Sequence, residues 1–85
     1  MKKEITLQTR GNEREEYILY FSSIGKEAGD GLFFGPTWEV FVSHQDTVLM
    51  GPMHFPRVYI TFRIEEDYFE EFLSSFRKAF MRAGA

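Results

Sequence analysis

The sequence predicts an α+β domain, an antiparallel sheet of about five strands with one C-terminal amphipathic helix packed on one face. Three observations carry this expectation. Residues 57–64, RVYITFRI, alternate strictly, with Val58, Ile60, Phe62 and Ile64 on one side and Arg57, Tyr59, Thr61 and Arg63 on the other, the period of a strand with one face in a core. From Glu66 the period becomes helical: Phe69, Phe72, Leu73, Phe76, Phe80 and Ala83 fall within a stripe roughly 100° wide, flanked by Tyr68 and Ala79. Shorter apolar runs separated by Gly, Pro and Asn recur through the first half of the chain, as antiparallel strands joined by turns require.

Taken in order, the alternating KEITLQT puts Ile5 and Leu7 opposite Glu4, Thr6 and Gln8 and makes a first, half-buried strand. Gly11-Asn12 suits positive φ and predicts a hairpin into a second strand, EEYILYFS, which is apolar on both faces and therefore central. Residues 23–36, SIGKEAGDGLFFGP, hold four glycines and read as the longest irregular stretch, with a short helical turn around Lys26 to Ala28. A third strand, TWEVFVS, places Trp38, Val40 and Val42 against Glu39, Phe41 and Ser43. The turn HQD leads to a short strand, TVLM, and GPMHFP is a second irregular piece before the clearest strand. In the terminal helix, Glu65, Glu66, Asp67, Glu70 and Glu71 crowd the start while Arg77, Lys78 and Arg82 occupy the end, complementing the helix dipole, and Gly84 is a natural stop. A helix of about 17 residues would be roughly 26 Å long and cover one face of the sheet, that of Trp38, Val40, Ile60 and Phe62. Phe41, Tyr59, Thr61 and Arg63 would then stand on the uncovered face.

The 85 residues read as one domain, 1–85, near the size at which a single core just suffices for independent folding. Aromatic residues make up 18% of the chain. One helix and a small sheet cannot hide them all, so some should line a ligand site or an intersubunit surface. The absence of cysteine removes disulfides, thiolate zinc sites and thiol nucleophiles. Met1-Lys2-Lys3 is followed by no apolar run of signal or membrane-spanning length, which points to the cytoplasm and away from membranes. A net charge of −3 disfavours nucleic acid.

Candidate chemistry is sparse. His44 and His54 flank the fourth strand and, with Asp46, have the atoms of an acid/base pair or a metal site, but no ligand spacing supports a metal, and turn histidines are the simpler reading. The glycines at 25, 29 and 31 lack the Lys-Ser/Thr order of a phosphate loop, and Asp30 sits among them. The acidic cluster at 65–71 reads as a solvated helix start, and Ser43-His44-x-Asp46 lacks a nucleophile elbow. Neither a catalytic residue nor a cofactor is expected.

What stands out is LFFGPTW, residues 32–38, three large apolar side chains beside a turn signal. Its rings could cap the uncovered sheet face, enter a second subunit, or meet another protein. The leading expectation is a binding or assembly module, a homodimer joined through the uncovered sheet face or the apolar loops. Its interface would draw on Leu32, Phe33, Phe34, Trp38, Phe41, Met53, Phe55, Tyr59 and Arg63. The first alternative is a small enzyme or ligand-binding protein with a pocket under residues 32–38 and 50–56 and a working histidine. The second is single-stranded RNA on the sheet face, with Tyr20, Phe41 and Tyr59 as stacking platforms and Arg57 and Arg63 as the basic supplement.

Overall fold

The structure, a computed structural model, describes residues 1–80. Its elements run β1 (Lys2–Arg10), α1 (Arg14–Ile24), β2 (Lys26–Gly29), β3 (Leu32–Phe34), β4 (Trp38–Val42), β5 (Asp46–Met50) and β6 (Met53–Glu65). A 3-10 turn (Glu66–Tyr68) then leads into α2 (Phe69–Phe80). All strand pairings are antiparallel, in the order β1-β6-β4-β3-β2. The thirteen-residue β6 is the spine. One of its sides carries β1 from Arg57 to Glu65, and the other is shared by β4, opposite residues 60–64, and β5, opposite residues 53–57. The fold class is the one the sequence predicts.

The stretch EEYILYFS, expected as a second strand, is helical. Its β-branched and aromatic content suggested a strand, but the positions that are buried, Tyr17 and Phe21, lie four apart, with Tyr20 packed beside them. That is the spacing of one helix face. Glu13 and Glu16 close a reciprocal capping box, with the Glu13 N–H donating to Glu16 Oε2 at 3.1 Å. Gly11 accordingly turns the chain into a helix that crosses the sheet, and β1 pairs with β6 instead of its neighbour in sequence. The expected helical turn near Lys26 is also corrected: Lys26–Gly29 is β2, paired with β3 across a turn at Asp30-Gly31. Gly31 adopts φ +80°, and a Cβ there would collide with the Val42 carbonyl, so this turn admits only glycine without strain.

Both helices lie on one face. Phe21 is fully buried at the centre, its ring 5.8 Å from Phe76, 6.0 Å from Phe33, 6.1 Å from Phe62 and 6.2 Å from Trp38. The apolar stripe of α2 lands as its spacing predicts, with Leu73 and Phe76 buried and Phe69, Phe72 and Phe80 partly so. Ala83, Arg82 and Gly84, assigned to the end of that helix, lie outside the described residues. Burial among these rings pushes the pKa of the Tyr20 phenol up. Trp38, at the edge of the core, is clasped by Gly25 and Gly35, which leave it the room a side chain would take. Among the described residues no helix is long and apolar enough to cross a membrane.

Candidate functional site

The face of the sheet opposite the helices is uncovered, and the strand registers fix what it presents. The first row reads Glu4, Arg63, Glu39, Phe34 across β1, β6, β4 and β3, and the second reads Thr6, Thr61, Phe41, Leu32. Gln8 beside Tyr59 makes the third, and Arg10, Arg57 and Asp46 the fourth. Leu32, Phe34, Phe41 and Tyr59 are each 39–45% exposed, so the side of the sheet toward β3 is a contiguous apolar patch.

LFFGPTW is therefore not a loop. Leu32-Phe33-Phe34 is a strand whose alternation sends Phe33 into the core, fully buried, and leaves its two neighbours on the open face. Trp38 is likewise a core residue, 6% exposed. Phe33 and Trp38 thus lie away from the open sheet face, although Trp38 borders a cavity between α1 and α2. Met53 and Phe55 occupy the β5–β6 hairpin, Met53 exposed and Phe55 half-buried, while β3 lies beyond β4, which pairs with the far end of β6 at residues 60–64. Three cavities bordered by residues 32–38 take their other walls from α1, β2, β4, β6 and α2 and none from residues 50–56.

Three cations of the face are paired in place. Arg63 reaches Glu4 (Nε to Oε1, 3.4 Å) and Glu39 (Nη1 to Oε2, 3.5 Å), and Lys2 approaches Glu39 at 3.9 Å. Arg57 donates to both carboxylate oxygens of Asp46, at 2.9 and 2.5 Å, and lies 5.4 Å from the Tyr59 ring centre. This bidentate hydrogen bond holds the Asp46 carboxyl below the usual carboxylate range and raises the pKa of Arg57. A groove of about 110 Å³ runs between Leu32, Phe41, Thr61 and Arg63, below the size of a small-molecule site.

The histidines do not converge with Asp46, whose carboxylate is taken by Arg57. His44, 80% exposed, has its Nε2 3.2 Å from Asp30, and His54 stands opposite Leu49 on the hairpin. Among the described residues no three His, Asp or Glu side chains could hold a metal ion. Sequence reasoning missed Arg14. Its guanidinium donates to the Ser43 carbonyl at 2.8 Å and to Asp30 at 3.1 Å, tying α1 to the end of β4 and to the β2–β3 turn. No motif marks this residue, because its partners come from distant parts of the chain.

The chain matches, over residues 5–85, the model of the family described as archaeal MoaD-like protein. It belongs to that family. No curated protein and no solved structure matches it.

Proposed function

We propose that this archaeal MoaD-like protein is a cytoplasmic binding module that associates with a second copy of itself through the uncovered sheet face. The observation that carries the reading is the clustering of Leu32, Phe34, Phe41 and Tyr59 on a surface where Arg57 and Arg63 are already paired with carboxylates. Apolar side chains grouped this way gain from being covered, and ion pairs formed in the plane of the sheet leave the patch free to meet an apolar surface. The same pairing disfavours single-stranded RNA, since Arg57 and Arg63 would have to leave Asp46, Glu4 and Glu39 to reach a phosphate.

The test is light scattering behind a sizing column on the native chain and on Phe34→Asp/Phe41→Asp, two positions outside the core. The variant should stay folded and show half the native mass. An unchanged mass would refute association through this face.

A further inference from the structure

A second surface, separate from the aromatic face, also has the features of an interface. β1 is the outermost strand, paired with β6 along all nine of its residues without a register shift, and it contains neither proline nor bulge. Gly11 N–H donates to the Pro56 carbonyl (3.1 Å) and Glu66 N–H to the Met1 carbonyl (2.9 Å). Odd-numbered residues of β1 therefore exchange hydrogen bonds with β6, and the N–H and C=O groups of Lys2, Glu4, Thr6, Gln8 and Arg10 point outward from the sheet. An edge of this length and regularity is a template for another strand.

We propose that this edge pairs with the same edge of a second copy, antiparallel about a two-fold axis at Leu7, joining two six-stranded sheets into one. The register follows from charge. A two-fold axis normal to the sheet keeps each face on its own side, so even-numbered residues oppose even-numbered ones. An axis at Thr6 would set Lys2 against Arg10, like against like, and an axis at Ile5 would leave Glu4 opposite Thr6 and Lys2 opposite Gln8. An axis at Leu7 sets Glu4 against Arg10 of the partner subunit and Arg10 against Glu4 of the partner subunit. It also sets Thr6 against Gln8, Ile5 against Thr9 and Leu7 against its own counterpart. Arg10 has no carboxylate partner among the described residues.

The helix side of the edge agrees. Between β1 and the last turns of α2 lies a cavity of about 230 Å³ whose apolar walls are Leu7, Tyr17, Phe76 and Phe80. In the paired sheet, Leu7 of the partner subunit stands directly beside it and covers its apolar wall. Pairing thus satisfies the outward backbone groups, the lone arginine and the cavity together.

The experiment is a charge swap read by light scattering from micromolar to millimolar concentration, with Trp38 fluorescence confirming that each variant is folded. Arg10→Glu places carboxylates opposite each other twice and should halve the mass of the native assembly. Glu4→Arg/Arg10→Glu recreates opposite pairs in the Leu7 register and should restore that mass; both variants carry Lys2→Gln, so that an axis at Thr6 offers no new opposite pair. If Arg10→Glu leaves the mass unchanged, or the double variant fails to restore it, the edge proposal is overturned. Face and edge fail separately: Phe34→Asp/Phe41→Asp halves the mass through the former and leaves the charge swap's effect intact.

Discussion

Gly25 sits where α1 ends, in extended backbone that any residue can adopt (φ −155°, ψ −165°), so its lack of a side chain serves the space around it. A Cβ there would lie 2.5 Å from the Trp38 indole Cη2 and 2.6 Å from the Phe34 carbonyl oxygen. The oxygen belongs to β3, which pairs on both sides, and the indole is held by Phe72 at 5.0 Å and Phe21 at 6.2 Å between ring centres, so neither neighbour can retreat freely. Overpacking of this kind costs about 1–3 kcal/mol. Gly→Ala also stiffens the unfolded chain, which returns about 0.4–1 kcal/mol. Gly25→Ala should therefore destabilise the fold by up to about 2.6 kcal/mol net, with a midpoint of about 1.3 kcal/mol, which is a fall in Tm of roughly 5–10 °C at about 4–8 °C per kcal/mol for a domain of this size. Gly29→Ala is the control, because a Cβ at Gly29 meets nothing within 4 Å. The assay is urea denaturation followed by the emission of Trp38, the sole tryptophan. Its spectrum should shift in Gly25→Ala and stay unchanged in Gly29→Ala. Equal stability changes in the two variants, or an unaltered indole spectrum in Gly25→Ala, would refute the clasp.

Two further outcomes follow from the core and from the β5–β6 hairpin. Phe21→Ala should cost about 3–5 kcal/mol, the range for a buried ring, a large share of the roughly 4–13 kcal/mol a domain of this length holds; urea denaturation should show a much lower midpoint, and a loss below about 1 kcal/mol would show that α1 is not seated in the core. Because the folded pKa of Asp46 lies below its unfolded value of about 3.9, the stabilisation from its pair with Arg57 is fully present above that value and is lost as pH falls through the lower, folded one. NMR titration of the Asp46 carboxyl should give a lowered midpoint that rises toward the ordinary value in Arg57→Gln, and identical midpoints would remove the pair as its cause.

Much of the sheet was legible because it obeys a period of two. The faces of β4 and β6 follow from alternation alone, and so does the identity of the uncovered side. EEYILYFS was not legible in the same way. Its residue types favour strands, and only the capping pair Glu13 and Glu16 with the 17/21 spacing reveals a helix, whose stability comes from rings contributed by α2 and β6. LFFGPTW was misread for a related reason: three residues are too few to display alternation, so burial of Phe33 between exposed Leu32 and Phe34 emerges only when β4 supplies the register. Arg14 and the grouping of paired charges on the open face depend on contacts between distant segments, which composition and spacing do not encode.

The pairing of β1 with β6 joins the first of the six strands to the last, from Lys2 opposite Glu65 to Arg10 opposite Arg57. Such contacts close a long loop before they return any stabilisation, which raises contact order and slows folding relative to helical domains of equal length. During synthesis β1 and β5 must wait for their partner, and the β2–β3–β4 meander for its place in the sheet, because the spine that joins them is made only after them. β1 is made well before β6, and until β6 follows neither of its hydrogen-bonding edges is occupied. The lysines and the glutamate at its start then serve nascent chains as well as folded ones, keeping that strand in solution until β6 arrives.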